Sequence, residues 1–330
     1  MEPILTLENV EVKFQTLGGI VNAVNGVTYS VEAGKTLGIV GESGCGKSVS
    51  MLAVMRLIQD PPGKITAGRI FFKGQNLLEI SEEKMEHTRG AEIGMVFQDP
   101  MTSLNPVLTV GRQIGESMVV HKGFSHDQAE ERTIELLNLV GIANAEQRIK
   151  EYPHQLSGGM RQRVGIAMAL ACTPDILIAD EPTTALDVTI QAQIVELTKR
   201  LQKELGMAVI WISHDLGVIA ELADRVIVMY AGYVVEEADV FELYEKPSHP
   251  YTLSLLKSLP RVDSSGGERL TTIPGFPPDG IKIMPGCPFA PRCSFTVDHC
   301  RQENPPLVLI GKDHKIACWV DVNTGLERSV

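Results

Sequence analysis

The chain has no long apolar run and no excess of positive charge. In this chain of 330 residues, no apolar run approaches the roughly 18 residues that are needed to span a bilayer. The first residues, MEPILTLENV, lack the basic segment and apolar core of a secretory signal. These absences predict a cytosolic protein. The formal charge of −11 argues against a broad contact with phosphate backbones, so nucleic acid is not expected as a partner.

The composition is that of an ordinary globular protein. Hydrophobic residues make up 44% of the chain and charged residues 22%. The length fits one large domain or two smaller ones. A cytosolic chain favours reduced or metal-bound cysteines over disulfides, and four of the six cysteines lie close to the end of the sequence. That clustering indicates a function separate from the other two cysteines.

The run GESGCGKS stands between a predicted strand, KTLGIV, and a predicted helix, KSVSMLAVMRLIQ. It follows the pattern Gly-x-x-x-x-Gly-Lys-Ser of a phosphate-binding loop. Glycines let backbone N–H groups surround an anion, Lys47 reaches the β- and γ-phosphates, and Ser48 binds Mg²⁺. The alternative is a glycine-rich turn without a ligand. The predicted nucleotide-binding residues here are Gly41, Glu42, Ser43, Gly44, Cys45, Gly46, Lys47, Ser48 and Val49.

A second motif, PDILIADEP, supplies two adjacent carboxylates. Its apolar residues predict a buried strand that ends at Asp180 and Glu181. After a phosphate loop, Asp180 is predicted to hold Mg²⁺, commonly through water. Glu181 is predicted to orient and deprotonate the attacking water, as a general base does.

The segment LSGGM predicts a second anion site. Ser157 can cap a helix that runs to about Ala171, and Gly158 and Gly159 leave backbone N–H groups accessible at its start. One phosphate loop already surrounds most of a triphosphate. The second site is therefore expected to face the γ-phosphate of a nucleotide held by another copy or a related subunit.

These motifs, in this order, resemble the ATP-binding cassette family. The resemblance rests on GESGCGKS, MVFQDP, LSGGM, ILIADEP, ALD and ISHD, and it covers about the first 235 residues. Met160 departs from the usual glutamine, but LSGGMRQR is similar to the form seen in peptide importers. The resemblance implies an α/β P-loop NTPase fold, with a RecA-like core, an N-terminal antiparallel β subdomain and an α-helical insertion over about 86–162.

The resemblance also implies a role for each matching residue. Phe14 would stack on adenine, although packing in the core is an equal alternative. Gln98 would contact Mg²⁺ or the attacking water and report the nucleotide state to a membrane partner, and His214 would contact the γ-phosphate. Asp187 would lie across a dimer interface. Ser157 and Gly159 would contact the γ-phosphate of the opposite site. The implied catalytic set is Glu181, His214, Gln98 and Lys47, and the implied Mg²⁺ ligands are Ser48 and Gln98.

The end of the chain is rich in proline and glycine and predicts a second domain, 239–330, after a nucleotide-binding domain, 1–238. HPYTLSLL and GCPFAPRC are similar to the tail of ATPase subunits from oligopeptide and dipeptide importers. Four cysteines in the spacing Cys-x5-Cys-x6-Cys-x17-Cys could hold a [4Fe–4S] cluster or Zn²⁺, or remain free thiols. The lack of a close cysteine pair favours the cluster over zinc. The predicted ligands are Cys287, Cys293, Cys300 and Cys318.

The sequence therefore predicts an ATP hydrolase that powers dipeptide or oligopeptide import from the cytoplasmic face of the membrane. The implied partners are two transmembrane permease subunits, a second ATPase subunit or a second copy, and indirectly an extracytoplasmic peptide-binding protein. Three alternatives stay open. The solute could be nickel or a sugar, the chain could be a soluble cassette ATPase acting on DNA or ribosomes, or the tail could sense iron or redox state.

Overall fold

The computed structural model describes residues 2–99, 103–184, 186–259, 272–282 and 284–328. The strands in these ranges are β1 (Pro3–Thr16), β2 (Gly19–Glu32), β3 (Thr36–Val40), β4 (Gly63–Phe72), β5 (Gln75–Asn76), β6 (Ile93–Val96), β7 (Ile176–Asp180), β8 (Ala208–Ser213), β9 (Arg225–Tyr230), β10 (Tyr233–Asp239), β11 (Val308–Leu309) and β12 (Lys315–Ile316). The helices are α1 (Lys47–Val54), α2 (Glu82–Ala91), α3 (Val110–Lys122), α4 (His126–Leu139), α5 (Ala145–Arg148), α6 (Gly158–Leu170), α7 (Val188–Leu205), α8 (Leu216–Leu222), α9 (Val240–Glu245), α10 (Pro250–Lys257) and α11 (His299–Gln302).

The chain divides into two compact units. The first unit comprises the residues up to Leu5, Val31–Thr36 and Phe72–Ser213. The second unit comprises Thr6–Ser30, Leu37–Phe71 and the chain from His214 onward. The predicted carboxylates lie in the first unit, and the predicted phosphate loop and cysteine tail lie in the second.

Three parallel strands form the centre of the first unit. β6 pairs with β7, with Ile93 opposite Ile176, and β7 pairs with β8, with Ile176 opposite Ala208. Every residue of β7 and β8 is buried. A strand covered on both faces needs a continuous apolar run, which is why the apolar residues of PDILIADEP predict β7 from the sequence.

Local side-chain contacts set the ends of the helices in the first unit. Thr109 caps the start of α3, and Gly123, the C-cap residue after Lys122, has a left-handed φ of +67°. Ser125 begins α4 with a reciprocal capping box to Gln128. These caps explain why only three residues, 123–125, join the two helices.

The stretch 86–162, predicted to be a helical insertion, also contains β6. Because β6 pairs in parallel with β7, this part of the stretch belongs to the sheet. Gly94 in β6 packs so closely that a Cβ there would lie 2.2 Å from the carbonyl oxygen of Ala169. Within the stretch, the end of α2 precedes β6, and the helices α3, α4 and α5 follow it.

The second unit contains two groups of strands. β2, β1 and β4 are neighbours in that order in one sheet. In the other group, β3 pairs in parallel with β9, and β9 pairs with β10 in antiparallel fashion. β12 continues the antiparallel pairing from β10 to β11. The division predicted between 238 and 239 falls within β10 and stays a prediction.

Buried charges accompany the pairing of β12 with β10. Glu236 and Glu237 are fully buried, and Glu236 accepts a 2.8 Å hydrogen bond from Nε2 of His314. Glu237 forms ion pairs with Arg225 and with Nζ of Lys315. Buried carboxylates require such partners, so these contacts hold the end of the chain to the sheet.

Helix α1 is shorter than the sequence predicts. The apolar spacing of KSVSMLAVMRLIQ predicts a helix that includes Met55 and Ile58, whereas α1 ends at Val54. Arg56 adopts a φ of +48°. A left-handed residue cannot continue a right-handed helix, so the backbone turns away although the apolar pattern continues.

Candidate functional site

The predicted phosphate loop has a backbone that only glycine can adopt at two positions. Gly41 and Gly46 have φ values of +152° and +100°. A Cβ on Gly41 would lie 2.2 Å from the carbonyl oxygen of Met229, and one on Gly46 would lie 2.4 Å from that of Ala23. The glycines are therefore required by the close approach of neighbouring backbone as well as by conformation.

Lys47 is the first residue of α1 and is 4% exposed. Its Nζ donates hydrogen bonds to the carbonyl oxygens of Gly41, at 2.8 Å, and Glu42, at 3.1 Å. The N-cap residue, Gly46, has no side chain to cap the first N–H groups of α1. A helix start of this kind, with a buried lysine beside it, is suited to an anion.

Cys45 occupies a variable position of the loop. Its side chain is buried, and burial raises the pKa of its thiol. Its carbonyl oxygen accepts a 3.0 Å hydrogen bond from the N–H of Gly232. Cys45 thus packs in the interior, its backbone holds the loop against the turn after β9, and it lies far from the tail cysteines in sequence.

The two predicted carboxylates stand at the end of β7. Asp180 is 6% exposed and Glu181 is 9% exposed. Nε2 of Gln98 donates to Oε2 of Glu181 at 3.2 Å, and Oγ1 of Thr184 donates to the same oxygen at 3.0 Å. Because β6 and β7 are parallel neighbours, Gln98 and Glu181 follow them at the same edge of the sheet. The structure thus brings together two predicted residues that are remote in sequence.

Glu181 has an unusual backbone conformation. Its φ is +45°, which is uncommon for a residue with a side chain. Its N–H donates a 3.0 Å hydrogen bond to the carbonyl oxygen of Ile212, the strand neighbour of Asp180. Strained conformations persist where surrounding contacts determine them, and they are concentrated at functional sites.

The LSGGM residues lie at an exposed helix start. Ser157 caps α6 by accepting a hydrogen bond from the N–H of Met160, and Ser157 and Gly158 are exposed. A Cβ on Gly159 would lie 3.0 Å from Cγ2 of Ile190, in the first turn of α7. Asp187, also exposed, caps α7 by accepting from the N–H of Ile190 at 2.9 Å. The starts of α6 and α7 are therefore adjacent on one exposed face.

His214 and Phe14 both lie in the second unit. His214 is exposed and precedes Asp215, which caps α8 by accepting from the N–H of Gly217 at 2.8 Å. Phe14 is half-buried in β1, and a Cβ on Gly63 would lie 2.5 Å from Cε1 of its ring. The ring of Phe14 is thus partly covered by the backbone of Gly63. This placement is compatible with stacking on adenine and with packing in the core.

The four tail cysteines line one pocket. The pocket walls include Cys287, Cys293, Cys300 and Cys318. The N–H of Phe295 donates to Sγ of Cys293 at 3.3 Å, and the N–H of Val320 donates to Sγ of Cys318 at 3.5 Å. Among the described residues, however, no three His, Cys, Asp or Glu side chains form a group that could hold a metal ion. The placement of these thiols therefore does not support the predicted cluster or its zinc alternative.

Burial favours the protonated thiol at three of the tail cysteines. Burial raises the pKa of Cys287 to about 11 and that of Cys318 to about 12. Burial also raises the pKa of Cys293. Any metal bound by them would have to displace these protons, because the thiolate is the ligand.

Sequence reasoning missed residues that contact the predicted site. Thr184 follows Glu181 by three positions, but a hydroxyl in a turn is too common to indicate a role. Arg292 and Tyr251 both contact Glu42 of the phosphate loop from more than 200 positions away. No local pattern could have indicated those contacts.

Within the described part of the chain, no helix combines the length and apolar character needed to cross a membrane.

Comparison with known families gives two matches. The ABC transporter family matches residues 24–184, and the oligopeptide/dipeptide transporter C-terminal region matches residues 235–300.

Relatives and solved structures agree with these matches. The dipeptide transport ATP-binding protein DppD of Bacillus subtilis (strain 168) is 52% identical over 97% of this chain and 95% of its own length. The oligopeptide transport ATP-binding protein OppD of the same organism is 51% identical over 96% of this chain and 88% of its own length. The dimeric structure of the ATP-binding cassette MJ0796 in a post-hydrolysis state, bound to ADP and Pi, aligns with a TM-score of 0.65 at 29% identity. The alignment covers 72% of this chain and 98% of the MJ0796 chain.

The predicted resemblance is confirmed, as is the P-loop α/β fold with a mixed sheet. The chain belongs to the ATP-binding cassette transporter ATPases, in the group whose members carry the oligopeptide/dipeptide transporter C-terminal region.

Proposed function

We propose that this chain is the ATP-hydrolysing subunit that powers import of dipeptides or oligopeptides. Relatives named for dipeptide and oligopeptide transport share about half of its residues over nearly its whole length. The match to the importer-type C-terminal region supports the same solute class. The observation that carries the enzymatic part is the 3.2 Å contact between Gln98 and Glu181 at the end of β7.

The phosphate loop is the proposed binding site for the nucleotide. Backbone N–H groups from Gly41 to Val49 would surround the phosphates, and Lys47 would exchange its contacts with carbonyl oxygens for the β- and γ-phosphates. Phe14 would stack on the adenine. When bound, Mg²⁺ would neutralise charge on the phosphate oxygens, with Ser48 and Gln98 as ligands and Asp180 holding it through water.

Glu181 is the proposed general base. It takes a proton from the attacking water while the water oxygen bonds to the γ-phosphorus and the bond to the β–γ bridging oxygen breaks. The products are ADP and inorganic phosphate. Gln98 and Thr184 orient the Glu181 carboxylate through their hydrogen bonds to Oε2. His214 would contact the γ-phosphate and help to position the water.

A second subunit would complete each site. Ser157, Gly158 and Gly159 lie on an exposed face together with Asp187, where a partner could approach. In a dimer, the start of α6 would meet the γ-phosphate bound by the opposite chain. The proposed partners are a second ATPase chain or another copy, two transmembrane permease subunits at the cytoplasmic face, and indirectly a peptide-binding protein outside.

The substitution Glu181→Gln tests the enzymatic part. It keeps the size and one hydrogen-bond acceptor but removes the base, so kcat should fall by a factor on the order of 10² or more. ATP binding should persist. Glu204→Gln, at an exposed carboxylate in the same unit, is the matched control and should hydrolyse ATP normally. Normal turnover in Glu181→Gln would exclude Glu181 as the general base.

We also propose the two-domain division, 1–238 and 239–330, with a [4Fe–4S] cluster held by the four tail cysteines. The proposal rests on the number and spacing of these cysteines in the sequence. A cluster would stabilise a proline-rich segment that buries little apolar surface. Iron and acid-labile sulfide in stoichiometric amounts, with visible absorbance lost in Cys300→Ser, would support it. Zinc alone, or no metal, would refute it.

Other functions of the same fold have separate outcomes. A nickel or sugar importer would use the same ATPase chemistry, because the solute is selected by other subunits. Native copurification with two multi-spanning membrane proteins supports the importer, and the binding protein found with them identifies the solute. Stable binding to ribosomes or DNA instead would favour a cassette ATPase that acts without a membrane partner.

A further inference from the structure

Arg292 in the cysteine tail holds the second residue of the phosphate loop. Its Nη1 donates to Oε2 of Glu42 at 2.6 Å, and its Nη2 donates to Oε1 at 2.9 Å. This is a two-pronged guanidinium–carboxylate pair, the geometry in which arginine binds a carboxylate most strongly. The two residues are 250 positions apart and both lie in the second unit.

The Arg292 side chain is fixed by further contacts. It is only 5% exposed, whereas Glu42 is 27% exposed. Nη1 also donates to the hydroxyl of Tyr230 at 3.2 Å, and Nε donates to the carbonyl oxygen of Pro274 at 2.9 Å. The guanidinium lies within 6.0 Å of the ring centre of Phe289. Such a side chain has little rotamer freedom left to lose, so it can hold Glu42 rigidly.

A second residue holds the backbone at the same point. The N–H of Glu42 donates to the hydroxyl of Tyr251, in α10, at 2.8 Å. The carbonyl oxygen of Glu42 in turn accepts from Nζ of Lys47 at 3.1 Å. Glu42 is therefore connected through its side chain and N–H to the end of the chain, and through its carbonyl to the lysine of the loop.

We propose that Arg292, acting through Glu42, is a positioning residue for the phosphate loop, so that the cysteine tail sets the affinity of the loop for nucleotide. This inference rests on the proposed role of the loop in binding ATP. Loss of the pair frees the Glu42 carboxylate and the backbone on which Lys47 depends. The loop then also adopts conformations that do not bind phosphate. The apparent affinity for nucleotide falls in proportion to the population of the binding conformation. Since Cys293 follows Arg292 directly, a change in the cysteine pocket reaches the loop through one residue.

The test uses the full-length chain, Mg²⁺ and the non-hydrolysable analogue AMP-PNP. Arg292→Gln should weaken binding about tenfold, because hydrogen bonds to charged groups are the stronger class and the partner carboxylate is left unpaired. Arg292→Lys keeps the charge without the fork and should show a smaller loss. Arg301→Gln is the matched control, since Arg301 is an exposed arginine beside Cys300. It should bind as the unmodified chain does.

Two further measurements separate positioning from tail stability. For ATP hydrolysis, Arg292→Gln should raise KM about tenfold and leave kcat within about twofold at saturating ATP. A purely structural role would lower the melting temperature without changing the KM of folded protein. Glu42→Gln should reproduce the loss, and the double variant should be no weaker than either single variant, because the two residues act as one unit.

Unchanged AMP-PNP affinity in Arg292→Gln would overturn the proposal, as would losses that multiply in the double variant. If Arg292→Gln does not fold, the affinity for AMP-PNP is measured in Arg292→Lys and Glu42→Gln instead. Unchanged affinity in both variants would then overturn the proposal. Failure of the unmodified chain to bind ATP would instead refute the proposed function of the loop. The two failures are therefore distinguishable.

Discussion

Nε2 of Gln98 lies 3.2 Å from Oε2 of Glu181, although the two residues are 83 positions apart. Their strands are parallel neighbours, with Val96 opposite Ala179. The sheet therefore delivers an amide and a carboxylate to the same edge, and the amide fixes the direction in which the carboxylate points.

Thr184 should contribute to the orientation of Glu181. Its hydroxyl donates a 3.0 Å hydrogen bond to Oε2, so Thr184→Val removes a contact to the proposed base while keeping the shape. We expect kcat to fall about tenfold to a hundred-and-fiftyfold with KM unchanged, since a hydrogen bond to a charged group is worth roughly 1.5–3 kcal/mol. Steady-state ATP hydrolysis measures this. Thr184→Ser keeps the hydroxyl and should retain most activity, and equal losses in the two variants would contradict the role.

Gly46 should tolerate no side chain. Gly46→Ala places a Cβ 2.4 Å from the carbonyl oxygen of Ala23 and requires a φ of +100°. We expect nucleotide binding to be lost, with destabilisation of about 1–3 kcal/mol from backbone strain. AMP-PNP titration and chemical denaturation measure the two effects. Gly165→Ala, where a Cβ meets no atom within 4 Å on α6, should bind normally and melt no lower than the unmodified chain.

Phe14→Ala should distinguish the two interpretations of that residue. If the ring stacks on adenine, affinity should fall by about 1–3 kcal/mol, the range for stacking of a base on an aromatic side chain. A residue that only packs in the core would instead lower stability without changing the affinity of folded protein. We expect the first result, measured by AMP-PNP titration beside thermal melting. Phe14→Tyr, which keeps the ring, should preserve affinity.

His314 should make the attachment of the chain end sensitive to pH. Burial alone lowers the pKa of His314, but hydrogen bonds to Glu236 and Glu242 raise it above its ordinary value. Because the pKa of His314 is raised in the folded state, the stability contributed by its protonated ring is complete below about pH 6.5. That contribution is lost as pH rises through the folded pKa. Melting temperature should therefore fall with rising pH across that window.

Two comparisons isolate this effect. Burial lowers the pKa of His249 to about 4, so His249 destabilises the fold only below about pH 6.5, outside the window. His314→Gln should flatten the pH dependence above that value. A slope that stays the same in His314→Gln would show that another group titrates there.

The parts of the fold that the sequence could predict are those encoded by neighbouring residues. The apolar run that ends at Asp180 and Glu181 predicts β7, and Ser157 predicts the start of α6. The family resemblance added predicted roles for Gln98 and His214, and these roles stay predictions. In each case the signal lies within a few residues of the feature, so no knowledge of the folded chain was needed.

The remaining features depend on contacts between distant residues or on the backbone. Arg292 contacts Glu42 only after the tail has folded onto the loop, and nothing near either residue indicates it. The early end of α1 follows from the conformation of Arg56, which overrides an apolar pattern that continues to Ile58. The spacing of the four tail cysteines predicts metal ligands, but the positions of the sulfur atoms depend on turns that the spacing does not determine.

The most direct test of the central claim is ATP-driven uptake of a labelled peptide by proteoliposomes containing the native complex of this chain. With the unmodified chain, we predict uptake that requires ATP on the side of the ATPase subunit. With Glu181→Gln, the complex should assemble and bind ATP but accumulate no peptide. Equal uptake with both chains, or no peptide uptake by a complex that hydrolyses ATP and transports another solute, would contradict the account.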